Sequence, residues 1–252
     1  MKHLSEKVAI ITGSSSGIGK AIALRLGEEG VKIAVAARRL DLCNTVKDHI
    51  SARGGKAIAV QTDISDQTQV DNLIDKTIDH FGQIDIMVNN AGIGGGNQIS
   101  ETTTETFDQV INTNLRGTFF CCRAGFRQMR NQGTGGIIIN VSSVCGIDAW
   151  SGTGSYSASK YGIMGITKAL ADEGRNYKIK ASAICPGGVA TPLVGIDRLQ
   201  SANPNLLDPV QVATAMIETS KESDTGRAFI VKADNDPIRQ QYQFTQVEGF
   251  PV

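Results

Sequence analysis

The sequence predicts an α/β fold: a single domain over residues 1–252, doubly wound around a seven-stranded parallel sheet with helices on both faces. Three observations lead there. Short β-branched runs alternate with longer helical patterns along most of the chain. Each run is four to six residues long and apolar almost throughout, as strands buried on both faces are. No long Pro/Ser-rich linker and no internal repeat interrupts the series, so one large domain suits the length better than two small ones.

Taken in order, the first strand covers 8–11 and runs at once into Thr12-Gly13-Ser14-Ser15-Ser16-Gly17-Ile18-Gly19. Ile18, Ile22 and Leu26 then mark one face of a helix. Glycines at such a junction permit a tight turn and close approach of backbone to a phosphate. The helix start adds free N–H groups and a positive dipole end. Because this turn joins the first strand to the first helix of a βαβ series, it predicts dinucleotide binding.

The second strand, 33–36, leads through Ala37 to Arg38 and Arg39, with no carboxylate before Asp41. In NAD-binding folds an acidic residue about 20 positions after the glycine turn bonds the ribose 2′-hydroxyl. A guanidinium pair there suits a 2′-phosphate instead. NADP(H) is therefore the preferred cofactor. If the two arginines only begin a solvated helix, NAD(H) stays open.

A third strand covers 57–60, followed by a helix with Val70, Leu73, Ile74 and Ile78 on one face. The fourth covers 84–88. Beyond it, residues 105–131 carry Phe107, Val110, Ile111, Asn114, Leu115, Thr118, Phe119 and Cys122 on one helical stripe, with Phe120 and Cys121 off it. The fifth strand covers 137–141, and the helix over 156–171 is small or apolar nearly all round. Such helices bury more than their sheet-facing side, either in a subunit interface or by dense packing within one subunit. Strands at 181–184 and 228–231 complete the sheet.

Composition narrows the function classes. Lys and Arg number 25, as do Asp and Glu, so no overall field favours nucleic acid or an anionic membrane. No apolar run is long enough to span a bilayer, and 8–11 is too short for a secretory signal. The five cysteines are odd in number and lack C-x-x-C spacing, which predicts reduced thiols and a cytoplasmic location. His3, His49 and His80 are scattered, which argues against a metal site and a Ser-His-Asp triad.

Tyr156 and Lys160 stand four apart, on one helical face. An ammonium beside a phenol favours the phenolate, and bringing a phenol from about 10 to near neutrality takes about 4 kcal/mol of differential interaction. The result would be a general acid/base. An isolated pair of this kind describes many ordinary amphipathic helices. Here it follows Ser143 by thirteen residues and accompanies the glycine-rich turn.

Together these residues resemble the classical short-chain dehydrogenases/reductases, over nearly the whole chain. Thr12-Gly-x-x-x-Gly17-x-Gly19 is similar to their cofactor motif and Asn89-Asn90-Ala91-Gly92 to the signature ending their fourth strand. Ser143, Tyr156 and Lys160 match the catalytic trio, and Asn114 falls at the fourth catalytic position. The resemblance implies a Rossmann fold and an oxidoreductase that interconverts a hydrophobic ketone or aldehyde and its alcohol. Tyr156 would move the proton. Lys160 would lower the Tyr156 pKa and hold the nicotinamide ribose, Ser143 would donate to the carbonyl oxygen, and Asn114 would anchor a water.

Further cofactor contacts implied are Gly13, Ser15, Ser16, Gly17, Ile18, Gly19, Arg38, Arg39, Asp63, Ile64, Asn90, Ala91 and Gly92, with Tyr156 and Lys160. Pro186, Gly187, Val189 and Thr191 would meet the nicotinamide end. The substrate pocket would use Gly94, Ser143, Cys145, Trp150, Tyr156, Gly188 and Leu193, under an apolar lid at about 192–207. Gly94–Gly96 reads as room or flexibility. Family likeness implies a homo-oligomer, a tetramer or a dimer. Two alternatives stand beside this reading: a reductase of 3-oxoacyl thioesters, and a dinucleotide-sensing protein without chemistry. The tail at about 232–252 departs from the common ending and is expected to dock on a neighbour, cover the pocket or lie free.

Overall fold

The structure, a computed structural model, describes residues 4–194, 206–221 and 225–231. The middle of the expected lid, 195–205, and the tail at 232–252 lie outside the described residues. The strands are β1 (Val8–Thr12), β2 (Lys32–Ala37), β3 (Ala57–Gln61), β4 (Ile86–Asn89), β5 (Gly136–Val141), β6 (Ile179–Pro186) and β7 (Ala228–Val231). All pair in parallel, in the order β3-β2-β1-β4-β5-β6-β7. The order reverses between β1 and β4. Ligands of doubly wound sheets bind in the crevice beyond the carboxyl ends of the strands at such a point.

Alternation along each strand divides the core into two layers. Ala9, Ile11, Ile33, Val35, Ile86 and Val88 face α1 (Gly17–Glu28), α2 (Leu40–Ala52) and α7 (Pro209–Lys221). Ile10, Ala34, Ala36, Met87 and Ile138 face α3 (Gln67–Phe81), α5 (Thr118–Gln132) and part of α6 (Gly154–Glu173). Since both faces are covered, the strands carry no polar face, which is why they read as continuous apolar runs. No helix among the described residues is long and apolar enough to cross a membrane.

The fourth strand begins two residues later than its apolar run. Ile84 is buried, but its N–H and carbonyl bond to the Gln132 side chain instead of a neighbouring strand. The ladder bonds begin at Asp85, whose N donates to Val8 O and whose O accepts from Ile137 N. Its carboxylate accepts from Val8 N at 2.9 Å and from Lys7 Nζ at 2.7 Å, tying the amino end of β1 to the start of β4.

The long apolar stripe is likewise not one continuous α-helix. It is α4 (Thr104–Val110), a π-helical segment (Ile111–Gly117), and then α5. Asn114 lies in the widened segment, where π geometry commonly marks function. Its Oδ1 accepts from Ile93 N at 2.8 Å and its Nδ2 donates to Ile93 O at 2.9 Å, an exchange that holds the helix against the chain leaving β4. At the far end of the segment a Cβ on Gly117 would come within 2.8 Å of Ile64 Cδ1, so glycine lets the turn seat on Ile64.

Candidate active site

The glycine-rich turn lies where the sheet order reverses. Gly13 has φ +67°, and a Cβ there would lie 2.7 Å from Ala91 Cα. A Cβ on Gly19 would lie 2.4 Å from Asn90 Nδ2. The turn and the end of β4 therefore meet backbone to backbone. Thr12 Oγ1 accepts from Asn90 N at 3.1 Å and Ala91 N at 3.2 Å, and Asn90 Nδ2 donates to Thr12 O at 3.0 Å. Ser14 points inward, donating to Ile11 O at 2.7 Å and accepting from Ala36 N at 2.9 Å. Neither Thr12 nor Ser14 figured among the expected site residues. Their signal was present: hydroxyls flanking a glycine at a strand end, where backbone groups need partners.

Ser16 precedes α1 in extended conformation, and its side chain does not cap the helix. The first-turn N–H groups keep their outward direction, the arrangement that receives a pyrophosphate. Ile18 packs against the core beneath. Gly17 has φ +55°, and a Cβ there would lie 3.1 Å from Thr191 Cγ2, so the turn and the segment after β6 form opposite walls. That segment is pinned: Gly187 N donates to Val231 O at 2.9 Å, and Val189 bridges to Leu207. These residues fit a dinucleotide.

The arginine pair divides. Arg39 Nη2 donates to Ser15 Oγ at 3.1 Å and Ser16 Oγ at 3.0 Å, placing a guanidinium against the turn. Arg38 is exposed, and its carbonyl accepts from Gln61 Nε2. The Asp63-Ile64 pair divides too. Asp63 Oδ1 accepts from Ser65 N at 2.9 Å and Ser65 Oγ at 2.7 Å, so its carboxylate shapes the entry to α3. The Ile64 side chain is buried in the core and lies against Gly117.

Ser143, Tyr156 and Lys160 converge between the end of β5 and the start of α6. Ser143 Oγ accepts from Cys145 N at 3.2 Å, capping the short 3-10 turn Val144–Gly146, and its hydroxyl acts on the Tyr156 phenol. Ser142 is turned away, donating to Lys160 O at 3.0 Å. Lys160 Nζ donates to Val141 O at 2.8 Å and lies 5.5 Å from the centroid of the Tyr156 ring. A Cβ on Gly92 would sit 3.2 Å from Asn114 Oδ1 and 3.9 Å from Lys160 Nζ, so the end of β4, the π segment and α6 meet at the lysine.

Burial sets the electrostatics. It pushes the Tyr156 phenol up to about 12; Cys145 adds to the rise and the Ser143 hydroxyl opposes it. Burial also brings Lys160 down to about 8, against the influence of Cys185 and Cys145. The lowering expected of the phenol drew on Lys160 together with a bound charged cofactor; in the protein alone burial sets the direction, and the Lys160 ammonium is directed to the Val141 carbonyl.

Three loops surround the mouth. Gly94 lies beside Leu193, Gly96 beside Gly152 O, and Ile99 beside Gly154. The Gly94–Gly96 segment is not loose. A Cβ on Gly95 would come within 2.3 Å of Val110 Cγ2 and one on Gly96 within 2.2 Å of Gly152 O, so these glycines serve close approach rather than freedom. Cys145 is buried beneath the mouth and Gly188 is exposed. Ile99, Trp150 and Leu193 are 83%, 54% and 50% exposed, leaving apolar surface on all three loops.

Comparison with known proteins agrees with this geometry. Residues 7–201 match the family model described as short chain dehydrogenase. The chain is 40% identical over 194 residues to a 3-oxoacyl-[acyl-carrier-protein] reductase of Synechocystis sp., covering 77% of this chain and 78% of that protein. It is 37% identical over 194 residues to a 3beta-hydroxysteroid dehydrogenase of Mediterraneibacter gnavus, covering 77% and 70%. A crystal structure of the 3-ketoacyl-(acyl-carrier-protein) reductase from Brucella melitensis, complexed with NADH, superposes with a TM-score of 0.84. It is 31% identical and covers 92% of this chain and 98% of that one.

A raised phenol pKa has a definite sign: the neutral form persists above the usual range and the phenolate forms only on approach to about 12. A near-ultraviolet titration of the cofactor-free protein, minus that of Tyr156→Phe, should show no phenolate at pH 10. A Tyr156 phenolate at or below the ordinary value of about 10 would contradict the burial argument.

Proposed function

The chain belongs to the short-chain dehydrogenase/reductase family of NAD(P)-dependent oxidoreductases, and from that premise we propose that it interconverts a hydrophobic ketone or aldehyde and its alcohol using NADP(H). The observation that carries the reading is that Lys160, tied to the Val141 carbonyl at the end of β5, lies 5.5 Å from the Tyr156 ring and meets Gly92 and Asn114, beside the glycine cleft.

The turn from Gly13 to Gly19, Asn90 to Gly92, Thr191, Tyr156 and Lys160 would hold the dinucleotide. When bound, its nicotinamide supplies or accepts the hydride. The protein's own contribution is proton transfer and charge stabilisation. Ser143 Oγ accepts from Cys145 N, so its hydroxyl proton is directed to the substrate oxygen as charge develops there. Tyr156 gives that oxygen its proton in reduction and takes it back in oxidation. Burial holds the Tyr156 phenol neutral, the form that would donate its proton in reduction. Asn114, held by Ile93 and close to Gly92, would anchor a water that renews the proton through Lys160.

Preference for NADP(H) is supported by Arg39 lying against Ser15 and Ser16, where a 2′-phosphate would gain a charge-assisted contact. The exposed Ile99, Trp150 and Leu193 favour an apolar substrate body. A 3-oxoacyl thioester is the second reading, favoured by the 40% identity to an acyl-carrier-protein reductase. A homo-oligomer follows from exposed Phe107, Phe119 and Tyr161 on α4, α5 and α6. Gly165 lies mid-helix with open space where a Cβ would point, although glycine there costs about 1 kcal/mol relative to alanine. Close approach by a second copy would account for a glycine at this place. Five buried free cysteines suit the reducing cytoplasm.

Tyr156→Phe should lower kcat by about 100-fold or more while NADPH binding, followed by fluorescence, stays within about threefold. Retained turnover would refute the assignment, and NADPH binding by the wild type with no turnover of any ketone, aldehyde or acetoacetyl thioester would favour a sensor. The ratio of kcat/KM for NADPH over NADH should be about tenfold or more and shrink in Arg39→Ala; equal or better turnover with NADH would remove the NADP(H) preference. In light scattering the protein should run as a dimer or tetramer and Gly165→Glu as a smaller species; a monomeric wild type would end that inference.

A further inference from the structure

Behind the catalytic residues, three consecutive residues at the end of β5 each bond to α6. Asn140 Nδ2 donates to Thr167 Oγ1 at 2.9 Å, Val141 O accepts from Lys160 Nζ at 2.8 Å, and Ser142 Oγ donates to Lys160 O at 3.0 Å. Thr167 stands seven residues after Lys160, two turns along the same face. Asn140 also reaches away from α6: its Oδ1 accepts from Asn89 Nδ2 at 2.8 Å and from Cys122 Sγ at 3.3 Å. One fully buried amide thus joins β4, β5, α5 and α6, the elements that carry or adjoin Asn90, Ser143, Asn114 and Lys160.

The surroundings explain why such a joint is needed. The buried face of α6 mixes the small hydroxyl residues Ser155, Ser157, Ser159 and Thr167 with Ile163, Met164 and Leu170, and it shares its apolar clusters with Ala181 and Ala183 of β6. Apolar packing is non-directional, so by itself it fixes the level of the helix less sharply than a hydrogen bond does. Directional bonds can determine it. They are not needed for stability, since replacing both partners of a buried hydrogen bond by apolar groups of like shape can be nearly neutral. This cluster even leaves a buried acceptor, Asn89 Oδ1, without a partner among the described residues.

We propose that Thr167 and Asn140 are positioning residues: their buried bond sets the level of α6 on β5, and so places the Lys160 ammonium and the Tyr156 phenol for the reaction. The inference rests on the proposed oxidoreductase reading. Thr167 touches neither reacting group and acts through Lys160. The groups facing Lys160 are Tyr156 on α6, Cys145 in the turn 144–146 and Cys185 on β6.

Thr167→Val keeps the shape and removes the hydroxyl, whereas Thr167→Ser keeps the hydroxyl. The valine variant should lose about tenfold or more in kcat while KM for NADPH changes by less than about threefold, and serine should recover most of the loss. A second readout needs no turnover. Lys160 titrates near 8 because it is dry, so an ammonium displaced toward water should titrate closer to its ordinary 10.5 in cofactor-free Thr167→Val and not in Thr167→Ser. Nitrogen NMR of the lysine, assigned with Lys160→Met, measures it. An unmoved titration in the valine variant overturns the proposal, whether or not kcat falls, and so does a serine variant that behaves like valine. Should Thr167→Val not fold, Thr167→Ala is read by the same outcomes. A wild type that reduces no carbonyl compound refutes the oxidoreductase reading, and the Lys160 titration then still decides the positioning role.

Discussion

The backbone at Gly13 approaches the end of β4 so closely that the smallest side chain would collide with Ala91, and this contact at the reversal of the sheet governs the geometry of the cleft. Thr12, Ser14 and Asn90 satisfy the backbone groups that the approach exposes, and Asp85 ties the same two strands at their other ends. With β1 and β4 held at both ends, the start of α1 and the chain from Asn90 to Ile93 become fixed walls. Asn114 bonds to one of those walls, and Lys160 lies against Gly92. The cluster of Ser143, Tyr156 and Lys160 is therefore referenced to the glycine-rich turn through a backbone contact and a few buried or half-buried side-chain bonds.

Dryness is the second theme. Tyr156 and Lys160 carry shifts of opposite sign with a common origin, since burial favours the neutral form of each. A phenol held neutral and a lysine eased toward neutrality avoid two unpaired buried charges. The Lys160 ammonium is placed by its bond to the Val141 carbonyl, alongside the other bonds between β5 and α6.

Much of the architecture was legible in the sequence, because strands buried on both faces leave continuous apolar runs that few other structures leave. What escaped has particular physical reasons. Ile84 belongs to the apolar run but not to the ladder, since the Gln132 side chain takes both of its backbone groups. The π segment is invisible to a 3.6-residue periodicity and shifts the buried face: beyond it Phe120 and Cys121, expected off the stripe, are buried, while Phe119, expected on it, is exposed. Arg38 and Arg39 are adjacent, and which one meets the glycine turn depends on how the chain bends into α2. The Tyr156–Lys160 spacing placed both on one face, yet spacing says nothing of where an ammonium points. The Val141 carbonyl competes for it.

The glycines at 95 and 96 have a consequence for how the pocket can diversify. A wall made of backbone pressed against Val110 and Gly152 presents no side chain to exchange, and any added there disturbs the packing behind it. Ile99, Trp150 and Leu193 stand free of that constraint, each exposed on a different loop. In a lineage under selection for a new substrate, the inner wall would be inherited unchanged while the rim varied, so that the chemistry is conserved by steric necessity and the choice of molecule is left to evolve.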